Sequence, residues 1–143
     1  MSARIDLDQL KTRIEAAVDP SVVVGTSYQR DYLERYANEA PAVWIKAQRA
    51  LRIDNDFGAI GRPVQRFAVE FLVTVVYSRY AVGTFDAEDP ANALVDQVAG
   101  ALMFETLTGA DTPITLSGTT DGQQDASVIT VDLLFRTEVV YHA

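Results

Sequence analysis

The sequence contains no cysteine, which removes thiol nucleophiles, iron–sulfur clusters and cysteine-ligated zinc together. It fits a reducing compartment, or an extracellular particle that never relied on disulfides. Histidine occurs once, at His142, one residue from the end. A terminal imidazole is a poor general base or metal ligand, so Ser-His and Cys-His nucleophile systems have little to build on. Basic residues are few: 12 Lys and Arg stand against 20 Asp and Glu, a net charge of −8. A general nucleic-acid binder would show the opposite balance. No stretch approaches the roughly 20 apolar residues of a membrane span, and the opening MSARIDLDQLK has no apolar core of signal-peptide type. The expectation is a soluble protein made in the cytoplasm, with no membrane partner.

Phosphate-binding motifs are missing as well, in both the G-x-x-x-x-G-K-[ST] and the post-strand G-x-G-x-x-G form. Asp54-x-Asp56-x-Gly58 has the outline of a calcium loop, but it lacks the third acidic position, and Gln65 stands where the bidentate Glu belongs. An Asx turn accounts for it. Asp86, Glu88 and Asp89 precede a helix, where acids favour the positive end of the dipole, so capping suffices. Glu70 sits on the non-core face of a strand without a carboxylate mate. The expectation is no metal, no cofactor, no catalytic constellation and no enzymatic activity.

What is present is a long alternating stretch, Arg66 to Tyr80 (RFAVEFLVTVVYSRY). Phe67, Val69, Phe71, Val73, Val75 and Tyr77 place an apolar side chain at every second position, the period of a strand with one buried face. Ser127 to Tyr141 repeats the pattern with Ile129, Val131, Leu133, Phe135, Val139 and Tyr141. Two such strands imply a central, mainly antiparallel sheet that needs a cover. At 143 residues the chain reads as one domain, 1–143, able to bury roughly 68–70% of its unfolded surface.

The cover comes from two helices. Asp6 to Val18 carries Leu7, Leu10, Ile14 and Ala17 or Val18 at helical spacing, with Asp6 as cap and Asp19-Pro20 as terminator. Asp89-Pro90 starts the second helix, which runs to about Leu107 with Leu94, Val95, Val98, Leu102 and Met103 as its stripe and Thr108-Gly109 as its close. Gly100 within it suggests close approach to a strand. The fold class is therefore α+β.

The connecting stretches are less determinate. SVVVG (21–25) suits a short strand or an extended connection. Ser27 to Ala40 holds Tyr28, Tyr32, Leu33 and Tyr36 at spacings that suit a turn or two of helix, either lying on the sheet edge or presenting tyrosines for recognition. Ala42 to Ala47 reads as a strand with Val43 and Ile45 inward, or with Trp44 inward if the register slips. Gln48 to Val64, with Asp54-Asn55-Asp56, Gly58, Gly61 and Pro63, reads as a long loop. Pro113 to Ser117 is a short strand candidate, and Thr119 to Asp125 a turn with Asp121-Gly122 at its tip.

Charge is unevenly distributed. Val43 to Arg66 holds Lys46, Arg49, Arg52, Arg62 and Arg66 against Asp54 and Asp56. Tyr80 to Phe135 holds nine acids and no Lys or Arg. This is either a solvated acidic face beside a basic loop or self-complementarity between copies. A contact of the second kind is heterologous and closes into a ring where the rotation allows.

The order of elements, with LDQLKTRIEAAV, PAVWI, RFAVEFLVTVVYS, DPANALVDQVAGAL and ITVDLLFRTEVVY in sequence, resembles the Mu-like phage minor tail protein family, the tail terminators of long-tailed phages. The likeness covers most of the chain and rests on order and pattern. Two features depart from it: the Tyr-rich 27–40 segment is long, and Phe104-Glu105-Thr106-Leu107 stands where a Trp often follows the second helix. The resemblance implies a homo-hexameric ring that caps the tail tube, stops its polymerisation and docks to a head–tail connector or neck protein. It implies a virion tail or neck location, with DNA passing the lumen without specific binding. Candidate subunit or partner contacts are Lys46, Arg49, Arg52, Arg62, Arg66, Asp86, Glu88, Asp121, Asp125, Tyr28 and Tyr32. Other readings are a different neck, head–tail joining or tube-like component, or a small ligand-binding or regulatory domain with a pocket near Tyr28, Tyr32 and Trp44. A carboxylate enzyme is the least favoured.

Overall fold

The computed structural model describes residues 5–26, 41–56, 64–78, 88–124 and 128–142. In chain order the elements are α1 (Leu7–Ala17), β1 (Val23–Thr26), β2 (Ala42–Asp56), β3 (Val64–Ser78), α2 (Glu88–Leu102), β4 (Thr115–Gln124) and β5 (Val128–His142). The strands form one sheet in the order β1-β2-β3-β5-β4. Only β1 and β2 run parallel; the other neighbours are antiparallel. This is the expected α+β fold with a mainly antiparallel sheet.

The two long strands lie at its centre, paired from Val64–His142 to Ser78–Val128 without a break in register. Phe71 and Phe135 are direct partners, and their rings stack at 5.5 Å with an interplanar angle of 17°. Val69, Phe71, Val73, Val75, Leu133, Phe135 and Val139 are buried on one face and share a single core with Val43 and Ile45 of β2. Leu10 and Ile14 of α1 and Leu94, Val98 and Leu102 of α2 cover that face. Of the two candidates at the end of α1, Val18 is buried and Ala17 exposed. Asp6 caps α1 by accepting from the Asp8 N–H at 3.0 Å.

On the opposite face Trp44 is also buried, clustered with Ala42 and Val76. Val43 and Ile45 therefore face the helices, and Trp44 belongs to a smaller second core. Thr74 is buried on this face too, its hydroxyl 2.5 Å from Asp132 Oδ1.

Four expectations need correction. Gln48 to Asp56 is not loop: it continues β2 for its full 15 residues, paired to β3. Bulges between Ile45 and Ala47 and between Arg52 and Asp54 break the period-two pattern, and the backbone ladder holds the strand without a buried face. Second, α2 stops at Leu102 rather than near Leu107, because Phe104 turns into the left-handed region (φ 66°). Third, Gly100 meets nothing: a Cβ there would have open space, so the glycine marks no close approach. Fourth, Asp121-Gly122 is not a hairpin tip. Both lie within β4, at a register shift between Asp121 and Gln124. The long strands themselves begin at Val64 and Val128, slightly off the expected bounds, and α2 begins at Glu88. The Tyr-rich segment 27–40 lies outside the described residues.

Candidate interaction surface

Past Ile45, β2 leaves the core. β1 pairs with it only from Ala42 to Ile45, so from Ala47 onward β2 forms a sheet edge among the described residues. Successive strand side chains point to opposite faces. A continuous run of exposed strand residues therefore means that both faces are open, and Arg49, Ala50, Leu51, Arg52 and Ile53 form such a run. Leu51 is 43% and Ile53 45% exposed. Ile53 is the extra residue at the second bulge, and Lys46 is the extra residue at the first; bulges re-aim a strand edge. An open edge carrying large apolar residues is a template for association.

Across the face of the sheet opposite α1 and α2 runs one row of direct partners, Arg49 on β2, Glu70 on β3, Arg136 on β5 and Thr115 on β4. Arg49 donates to Glu70 Oε2 from Nη2 at 3.0 Å and from Nε at 3.2 Å. The Arg49 side chain is 68% exposed and that of Glu70 only 13%, so this pair is seated at its acidic end. Arg136 reaches Glu138 at 3.9 Å on its own strand. A cavity of about 230 Å³ lies over this row, lined by Gln48, Arg49, Glu70, Leu72 and Leu134.

At the far end of the row the chain leaves α2 in a tight turn. The Phe104 N–H donates to the Ile114 carbonyl and the Ile114 N–H to the Glu105 carbonyl, each at 2.8 Å. These bonds hold Phe104 in a conformation that costs a non-glycine residue roughly 1–2 kcal/mol. Ile114 and Leu107 of the same turn are buried, yet the Phe104 side chain is 74% exposed. It borders an open groove of about 330 Å³ with Thr112, Pro113, Thr115, Arg136 and Glu138. Thr112 anchors the groove floor: its carbonyl accepts from the buried Thr137 hydroxyl at 2.7 Å and its Oγ1 accepts from the Glu138 N–H at 2.9 Å. Glu105, beside Phe104, pairs with Arg13 of α1 at 3.0 Å.

Of the candidate contact residues, Arg49, Arg52 and Arg66 all lie exposed along the β2–β3 arm. Arg49 is engaged within the chain by Glu70, and Arg66 lies directly opposite Asp54 in the ladder. Lys46 sits at the first β2 bulge, Glu88 opens α2 and Asp121 lies in β4. Tyr28, Tyr32, Arg62, Asp86 and Asp125 lie outside the described residues. Leu51 and Ile53 fall in the stretch that reads as a loop, because the strand that carries them is open on both faces and Ile53 sits at a bulge, so no burial pattern marks them. Phe104 was visible only as the residue standing in place of a Trp.

Among the described residues no group of three or more His, Cys, Asp or Glu could hold a metal ion. No helix among them is long and apolar enough to cross a membrane. No protein-family model matches the chain, and no curated protein matches it. Its fold is similar to that of a chain in the virion of a native gene transfer agent particle. The TM-score is 0.56 at 16% identity, covering 90% of this chain and 84% of that one. At that identity the likeness is one of fold, and it spans nearly the whole of both chains.

Proposed function

We propose that this chain is a structural protein of a phage-like virion, and within that class a tail terminator. In this reading it assembles as a homo-hexameric ring on the end of the tail tube, stops tube growth and offers a docking surface to the neck. The observation that carries the virion role is the near full-length fold likeness to a chain of a gene transfer agent particle. The finer assignment to the terminator rests on the order of elements, α1 through β5, and on the uneven charge. A ring whose lumen passes DNA gains from repelling it, and a chain of net charge −8 does so. A heterologous ring contact needs two unlike surfaces; the exposed basic arm and the acid-only stretch from Tyr80 to Phe135 supply them. The chain carries no catalytic activity in this role, binds no cofactor, and resides in the tail or neck of the virion.

A different neck component would share the ring and the charge, and only its partner would differ. The test is therefore functional. Added to polymerising tail-tube subunits of its own particle, the chain should arrest elongation, and its loss should yield tails of uncontrolled length. Tubes that grow unchanged in its presence, with tails of normal length in its absence, would rule out the terminator role.

A further inference from the structure

Leu51, Ile53 and Phe104 are the large apolar side chains exposed among the described residues, and they fall into two patches. Leu51 and Ile53 flank Arg52 on the open β2 edge. Phe104 stands beside the groove that contains Thr115, the first residue of β4. β2 and β4 are on opposite sides of the β3–β5 pair. The row Arg49–Glu70–Arg136–Thr115 runs from one patch to the other, three strand spacings or roughly 14 Å between its end backbones. Two unlike patches at the two ends of one cross-sheet row are the geometry of a head-to-tail contact. A two-fold contact would instead bring both patches of each copy into one self-complementary surface, each on the other's opposite number.

We propose that copies of this chain join through this pair of surfaces: Leu51 and Ile53 on the β2 edge of one copy pack on Phe104 and Pro113 of the next. The inference rests on the ring reading above and names the contact that builds the ring. Charge selects the second copy as the occupant. The β2 arm presents Arg52, exposed, beside Arg49, exposed and held by Glu70, while the groove side carries three acids against two arginines among the described residues. Glu105, Asp111 and Glu138 lie on that side, with Arg13 and Arg136 partly offsetting them. The strained backbone of Phe104 fits the same role. Its φ of 66° is held by the bond from its N–H to Ile114 and by the neighbouring Ile114–Glu105 bond, which fix the backbone that carries this exposed aromatic. Pre-ordered aromatics of this kind dominate interface energetics.

The absence of cysteine makes the contact directly testable, because added thiols are the only ones. Ala50→Cys and Thr106→Cys place thiols at exposed positions beside each patch while leaving Leu51, Ile53 and Phe104 intact. The full chain would be treated with a short bis-maleimide, and the mass of the untreated sample followed by light scattering. An equimolar mixture of the two variants should give at least tenfold more cross-linked dimer than either alone, and the double variant a ladder ending at the ring. Adding Leu51→Asp to the Ala50→Cys partner should remove the cross-link. A ring-sized mass with no preference for the mixed pair overturns this contact and leaves the ring standing. Efficient cross-linking of Ala50→Cys to itself overturns it in favour of a two-fold contact. A mass of one chain under all conditions overturns both the contact and the ring.

Discussion

The side-chain amide of Gln48 grips Ile5 by both of its backbone polar groups. Gln48 Nε2 donates to the Ile5 carbonyl at 2.7 Å, and the Ile5 N–H donates to Gln48 Oε1 at 2.9 Å. One glutamine on β2 thereby acts as an extra strand rung and ties the segment before α1 to the sheet, with Ile5 itself buried. Gln9 of α1 does the same to Thr108, receiving its N–H at 2.8 Å and donating to its carbonyl at 3.2 Å. Gln48→Ala removes both bonds at a part-buried site and should cost about 1–3 kcal/mol. Gln48→Glu keeps the acceptor and loses the donor, so it should also destabilise. Urea unfolding of the two variants checks this; full stability in Gln48→Glu would show that the donating half of the grip contributes nothing.

Phe71 and Phe135 meet as direct ladder partners at the centre of the sheet, each no more than 1% exposed. Truncating either opens a cavity between sheet and helices. Phe135→Ala should lower stability by about 3–5 kcal/mol, while Phe135→Leu should cost much less. Chemical denaturation of both reports the difference directly.

Phe104 sets stability against assembly. Its left-handed backbone (φ 66°) and high exposure mean that the side chain contributes strain to the monomer and little burial. Phe104→Asn, which tolerates that conformation, should leave the stability of the isolated chain unchanged or raise it by about 1 kcal/mol, and should weaken self-association at least tenfold. A marked drop in monomer Tm would show that Phe104 serves the fold instead.

The legible part of the chain was the part under packing pressure. Phe67 to Tyr77 and Ile129 to Val139 alternate because one face is buried, and α1 and α2 carry stripes because they cover that face. The α+β class follows from these four stretches alone. The β2 extension was hidden for the complementary reason. Arg49 to Ile53 is open on both faces, so no burial pattern marks it, and the Lys46 and Ile53 bulges shift what alternation remains. The end of α2 was hidden because Phe104 occupies a backbone region that its residue type does not advertise. The candidate surface was legible as charge, in the clustering of Arg49, Arg52 and Arg66. Its apolar half was not, since Leu51, Ile53 and Phe104 become a pair of patches only once β2 and β4 are placed at opposite edges.

Asp19 gives a pH dependence of known sign. Its carboxylate accepts the Ser21 backbone N–H at 2.9 Å after α1 ends. This backbone bond first, and a further side-chain bond from Ser21, hold its pKa below the ordinary 3.8. A carboxyl lowered in the folded state contributes stability that is fully present above its unfolded value and is lost as pH falls through the folded one. The contribution should therefore persist above pH 3.8 and fade below it. In NMR titration Asp19 should titrate below 3.8, and Asp19→Asn should flatten that limb of the stability curve. An Asp19 titrating at or above 3.8 would show that the turn does not hold the ionised form.

The most direct measurement is the solution mass of the full chain by light scattering, across concentration and at low and high salt. The expected result is a closed particle of six times the 15.7 kDa chain, reached through a concentration-dependent equilibrium that high salt shifts toward monomer as the charged surfaces are screened. A 15.7 kDa particle at every concentration and salt, or a salt-independent dimer, would contradict a ring built from unlike, oppositely charged surfaces.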